Sequence, residues 1–353
     1  MVQNLKVDGA IFAGGDNLYE GELWEVPARA RLLEDQGYDG LYALDTNVDP
    51  MFSLLLAAEH TKRIELMTGV AIAFARSPMT LALQTWNLHT YSGGRMILGL
   101  GSQVRAHIEK RFAMPWSRPA ARMREYILAL RAIWDCWGRG VPLDFRGEFY
   151  THSLMTPVFS PPANELPDPK IYLGGLGPKM VEVAGEVADG LFGHPFTNLR
   201  FIERVQLPAL ERGLAKSGRG LSDFDMPAMI ITITGRTADE LDRADHAMRK
   251  LLAFYGSTPA YKGPLEAHGW DDLQPRLNVM SKEGRWDEMA GLIDDDMVEA
   301  FAVKGRPEEI PELIAARCAG LVDRVTLYAP YTADPSIWPG IVAGIQALPG
   351  KRV

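Results

Sequence analysis

The chain has 353 residues, 47% hydrophobic and 23% charged, a globular balance with ample apolar material for a core. Its 37 basic and 45 acidic side chains leave a formal net charge of −8, which argues against nucleic acid or an anionic membrane surface as a partner. Cys136 and Cys318 lie far apart without metal-ligand spacing and read as free thiols in a reducing compartment.

No run of about eighteen apolar residues occurs, so no membrane span is expected. The opening MVQNLKVDGAIFAGG holds an apolar stretch too short for a signal sequence, and a cytoplasmic location is expected. Short apolar runs then alternate with longer amphipathic ones along the chain. A strand is predicted over Lys6–Phe12, a helix over Leu23–Asp35, then strands over Gly40–Leu44 and Glu65–Phe74. The helix Pro78–Tyr91 has Ser77 as N-cap, proline at its first position and Gly93–Gly94 as its stop. Strand Met96–Leu100 and helix Arg118–Trp137 follow. Next come strand Lys170–Leu173, helix Pro178–Ala188, strand Gly190–Phe192 and helix Leu199–Leu214. Strand Met229–Thr234, helix Ala238–Tyr255, helix Pro307–Cys318 and strand Arg324–Tyr328 complete the pattern.

Eight near-continuous apolar strands suit a parallel sheet buried on both faces. Repeated alternation with helices predicts an α/β fold, and the lack of a mid-chain linker favours a (β/α)₈ TIM barrel forming one domain over 1–353 over the alternative, a doubly wound sheet. Two insertions stand out. One follows the fourth strand and its helix at Val141–Pro169, hairpin-like with a turn at Arg146–Gly147. The other follows the seventh strand at Gly256–Asp295 and is expected over the barrel mouth.

Familiar chemistry is mostly absent. There is no P-loop, no GxSxG elbow, no HExxH and no EF-hand series, so no metal is expected. GLGSQV at Gly99–Val104 starts like a dinucleotide fingerprint but lacks the third glycine and follows the fourth strand. What remains is a pair of glycine-rich strand ends, LGLGSQVR and LGGLGPKM. Small residues let a ligand approach the backbone, and a helix N-terminus offers N–H groups to a phosphate, so a phosphate-bearing cofactor is expected there.

Four stretches in order carry a family likeness: ELMTGVAIAFARSP, YSGGRMILGLG, KIYLGGLGPKMVEVAGEVADGLFGHPF and AVKGRPEEIPELIAARCAGLVDRVTLYAP. With the helix REYILALRAIW they span nearly the whole chain, which resembles the luciferase-like flavin and deazaflavin oxidoreductases, and within them the F420-dependent class. The resemblance implies a barrel that binds coenzyme F420, or alternatively FMN, at its mouth, commonly as a homodimer. It places Gly69, Val70, Ala71, Gly101, Ser102, Gln103, Val104, Arg105, Gly174, Gly175, Leu176, Gly177, Pro178 and His194 at the cofactor. Asp45 and His194 become the candidate catalytic residues. The family also implies a cis peptide at Gly69–Val70, forming a bulge behind the ring.

Two departures matter. Many F420-dependent members carry His after the position of Asp45, where this chain has Thr46. Sugar-phosphate dehydrogenases of the family carry Glu where this chain has Val104, so that sugar phosphate is not the expected substrate. The expected activity is hydride transfer between the deazaflavin C5 and a small organic substrate. The alternatives are an FMN-dependent monooxygenase fed by a separate reductase, and a non-catalytic flavin-binding barrel.

Overall fold

The structure is a computed structural model and describes residues 4–12, 21–318 and 320–351. Eight parallel strands form the barrel: β1 Lys6–Ala10, β2 Gly40–Ala43, β3 Glu65–Thr68, β4 Met96–Gly101, β5 Lys170–Gly174, β6 Gly190–Phe192, β7 Pro227–Thr234 and β8 Arg324–Tyr328. Each pairs in parallel with its neighbour from β1 to β6, β8 pairs with both β7 and β1, and β8 stands opposite β1 in the register Lys6↔Arg324. The ring closes between β6 and β7. There the Leu191 N–H donates to Asp225 O at 3.1 Å and the Gly193 N–H to Pro227 O at 3.0 Å.

The expected helices stand around this ring. Pro78–Tyr91 starts and stops at the predicted residues, with the Thr80 N–H donated to Ser77 Oγ at 3.1 Å and Gly93 in the left-handed region. The hairpin of the first insertion pairs Phe145–Arg146 with Thr151–His152 and turns after Arg146. The second insertion folds into short helices, among them Gly263–Glu266, Leu273–Lys282 and Trp286–Ala290. Cys136 and Cys318 are free thiols.

Three features differ from the sequence expectation. Helices Pro50–His60 and Trp338–Gln346 were hidden because PMFSLLLAAEH and WPGIVAGIQ are apolar almost all round, which erases helical periodicity. A ninth strand, Ala302–Gly305, pairs with the C-terminal half of β7, because β6 reaches only its N-terminal end. The predicted strand Glu65–Phe74 is broken: β3 ends at Thr68, the Gly69–Val70 peptide is cis, Ala71–Ile72 resumes pairing with β4, and a 3₁₀ turn follows at Ala73–Ala75.

The floor of the barrel is charged. Arg324 of β8 donates to both carboxylate oxygens of Asp8 on β1, at 2.7 and 2.6 Å, and both side chains are almost wholly buried. Glu65 Oε2 forms an ion pair with Arg324 at 2.8 Å and its Oε1 accepts from Lys6 at 2.8 Å, and the Tyr172 hydroxyl donates to Asp225 at 2.7 Å. A cavity of about 680 Å³ opens among these strand beginnings. It is larger than the one at the mouth, but it lies at the end that serves stability in such barrels. Removing one member of a buried pair strands the other charge. Asp8→Ala is therefore expected to lower unfolding free energy by about 3–5 kcal/mol in urea titrations, and Asp8→Leu combined with Arg324→Met by clearly less.

Candidate active site

The C-terminal ends of the strands surround a cavity of about 600 Å³. Gly69, Val70, Gly101, Ser102, Gln103, Val104, Arg105, Gly174, Gly175, Leu176, Gly177 and His194 all line it. Residues far apart in the chain thus meet from β3, β4, β5 and β6. Ala71, Pro178 and Asp45 do not line it. Ala71 is fully buried in the ladder opposite Leu100, and Pro178 sits exposed at the first position of helix Pro178–Val187.

One wall is built of glycines packed around one apolar side chain. A Cβ on Gly101 would stand 2.4 Å from Val70 Cγ2, and one on Gly174 would stand 3.2 Å from Val70 Cγ1. These two glycines make room for Val70, which then faces the cavity. Gly177 is different. It is an extended N-cap residue at φ −75°, and a Cβ there would meet nothing within 4 Å. Neither backbone nor packing requires a glycine at this point. Behind the loop, Gln206 Nε2 donates to Leu176 O at 3.2 Å and holds its carbonyl side.

Asp45 supports this wall from outside. Its carboxylate accepts from the Ile72 N–H at 2.9 Å and from Arg76, whose other nitrogen reaches Asp49 at 2.8 Å. The side chain is committed to the segment that follows β3, so its place is that of a positioning group. Asp45, expected as a catalytic residue, is thus held by the Arg76 guanidinium and the Ile72 amide and stays outside the cavity lining.

The loop after β4 turns sharply into the short helix Arg105–Lys110. Gln103 adopts φ +59° and its Oε1 accepts the Val104 N–H at 2.9 Å. Arg105 stands at the rim, its side chain 70% exposed and paired with Glu109 at 2.9 Å. Trp116 lines the cavity and meets Phe74 edge to face at 5.8 Å. Trp270 stacks on His268 instead and stays outside it.

His194 ends the loop after β6. Its Nδ1 accepts the Phe196 N–H at 3.0 Å, which leaves the ring proton of the neutral form on Nε2. Burial pushes its pKa down to about 4, so at neutral pH the ring is an uncharged donor. Proton donation by an imidazolium form is thereby disfavoured.

Sequence reasoning missed the opposite wall. Tyr255, Tyr261 and Tyr328 line the cavity together with Phe192 and Met229. Tyr328 closes β8, and a polar aromatic at the C-terminal end of a barrel strand was the available signal. Tyr255 and Tyr261 come from the end of a long helix and the loop behind it, where nothing local marks them.

Two outcomes follow from this geometry. Gly101→Ala should cost about 1–3 kcal/mol of unfolding free energy through its collision with Val70, whereas Gly177→Ala should change it by no more than about 0.5 kcal/mol in urea titrations. For His194 the native pKa is depressed, so between pH 6.5 and about 4 the unfolded chain binds a proton that the native one does not. Stability should fall on acidification through that window, and His194→Gln should remove about 2–3 kcal/mol of the fall in urea titrations at pH 7 and pH 4.

The chain matches the luciferase-like monooxygenase family over residues 10–324. It is 50% identical over 323 residues to an uncharacterised protein of Mycobacterium tuberculosis, covering 92% of this chain and 93% of that one. It is 29% identical over 322 residues to the 5,10-methylenetetrahydromethanopterin reductase of Archaeoglobus fulgidus, covering 88% and 91%. The solved coenzyme F420 dependent tetrahydromethanopterin reductase of Methanopyrus kandleri superposes with a TM-score of 0.76 over 98% of both chains at 22% identity, a likeness of fold. Among the described residues no helix is long and apolar enough to cross a membrane. With barrel, mouth cavity and family match together, the chain belongs to the luciferase-like monooxygenase family and is one of its oxidoreductases.

Proposed function

We propose that the protein is an F420-dependent oxidoreductase acting on a small organic substrate. The observation that carries this reading is the glycine wall, where Val70 and Gly177 face one cavity and Gly177 has no structural need to be glycine. Support comes from the relatives whose names specify reductases of a pterin or an F420-dependent oxidoreductase.

The residues present fit such a group. Val70 offers a stiff apolar surface to a flat ring. The open space at Gly177 and the positive end of the dipole of helix Pro178–Val187 suit a phosphate. Arg105 can exchange its exposed partner Glu109 for another acidic group, since such surface pairs hold weakly. The Nε2–H of His194 can donate to a carbonyl or ring nitrogen. When bound, the deazaflavin would supply hydride chemistry at its C5, and the chain supplies orientation and exclusion of water.

Affinity decides between cofactors. Titration of the protein with F420 and with FMN, followed by cofactor fluorescence, should give at least about tenfold tighter binding of F420. Gly177→Val should weaken F420 binding by about tenfold or more while the melting temperature holds. Tighter FMN binding would overturn the reading, and unchanged F420 affinity in Gly177→Val would remove this loop from the cofactor.

A further inference from the structure

The barrel wall has a seam with room in it. Strand β6 is three residues long and meets only the start of β7, through the Leu191 and Gly193 amides. Farther along, β7 runs beside Ala302–Gly305 instead. A cavity of about 70 Å³ occupies this seam, walled by Leu199, Ile202, Ala228, Ile230 and Phe301.

Two polar side chains interrupt those apolar walls. Thr197 lines the cavity, and its Oγ1 is buried with no hydrogen-bond partner among the described residues. Arg317 lines it too, and it donates only to backbone carbonyls, Ala300 O at 2.6 Å, Glu299 O at 3.3 Å and Thr197 O at 3.5 Å. Burial pushes the guanidinium pKa down to about 10, and no carboxylate among the described residues lifts it. The group stays charged at neutral pH, and a buried charge without a counter-ion costs free energy that an arriving anion offsets. Its surroundings carry the same sign. The insertion that holds His268 is tied to this loop by Asn198 Nδ2 donating to Pro264 O at 2.9 Å. Burial and the nearby Arg200, Arg204 and Arg317 hold the His268 pKa below its ordinary value, and no carboxylate counters them. In a chain of net charge −8, this is a local excess of cations. A cleft lined by one sign of charge draws the opposite ion toward it.

We propose that the seam cavity binds a short aliphatic carboxylate, its oxygens met by Arg317 and Thr197 and its chain by the apolar walls. A carboxylate accepts from guanidinium and hydroxyl alike, and arginine is the cation whose planar fork suits it. Size sets the chain length. An apolar cavity of about 150 Å³ admits benzene, so this one leaves room for about three or four carbons. Inorganic phosphate brings charge without an apolar part, and an amide of the same shape brings the chain without the charge. The site is separate from the cofactor reading, because Thr197, Ala228 and Arg317 lie outside the lining of the mouth.

The test is saturation-transfer NMR of the full chain with propionate, at constant ionic strength and without F420, followed by competition with propionamide and with inorganic phosphate. Propionate should bind with a Kd of about 10 mM or tighter, and either competitor should bind at least about tenfold more weakly. Thr197→Val keeps the shape and removes the unpartnered oxygen, so it should weaken propionate about three- to tenfold without lowering the melting temperature. Ala228→Leu fills the cavity and should abolish the signal. Arg317→Gln should weaken binding at least about tenfold. Should Arg317→Gln fail to fold for want of its carbonyl contacts, the other two variants carry the measurement. Absent propionate binding, binding unchanged in any folded variant, or a competitor that matches propionate overturns the proposal. The readout involves no cofactor, so this site stands or falls apart from the F420 reading.

Discussion

The ion pair between Asp8 and Arg324 is the constraint on which the barrel rests. It ties the first strand to the last at the floor, with both side chains almost wholly buried. A buried pair of this kind is tolerable only when each charge is fully met, because the desolvation of two ions consumes most of their attraction. The geometry answers that demand. Arg324 reaches Asp8 with two hydrogen bonds and Glu65 with an ion pair, and Glu65 is shared with Lys6. Even the neighbouring strand yields space: a Cβ on Gly40 would fall 2.3 Å from Asp8 Oδ1 and 2.7 Å from the Arg324 guanidinium. Charge is thus concentrated at one end of the barrel, and the other end can be lined by apolar and neutral groups.

The mouth inherits that division. Its glycine wall depends on Val70, which two glycines from β4 and β5 accommodate and which the segment after β3 carries into the cavity. That segment is held from outside by Asp45 and Asp49 through Arg76. Asp45 therefore acts at one remove: it fixes backbone that shapes the wall. The roles of acidic residues in this fold sort by place, with Asp8 closing the floor, Asp45 anchoring the break, and none of the described cavity lining being acidic.

The parallel barrel was legible because strands buried on both faces must be nearly continuous in apolar residues, and helices between them keep one polar face. The same reasoning fails where an element is apolar all round, as in Pro50–His60, or very short, as in Ala302–Gly305. The glycine wall was legible because glycine at a strand end has few explanations. Its individual members were not, since only the packing shows that Gly101 serves Val70 while Gly177 serves open space. The tyrosine wall was out of reach for another reason. Tyr255 and Tyr328 are 73 residues apart, and their bond exists only once the long helix returns over the eighth strand.

That return also explains why the site is most chemically specific where the sequence is least informative. The helix Ala238–Gly256 ends above the mouth, and the loop behind it brings Tyr261 to within 4.5 Å of the His194 ring. The insertion that follows has an apolar interior of its own, with Leu265, Leu273 and Leu277 buried against Phe196 and Phe301. The rings beside His194 are thereby braced from the outside as well as across the cavity. A neutral imidazole and two phenols in such a setting keep fixed directions and carry no charge to attract water. The form of this wall is a property of three elements packed together and of none of them singly.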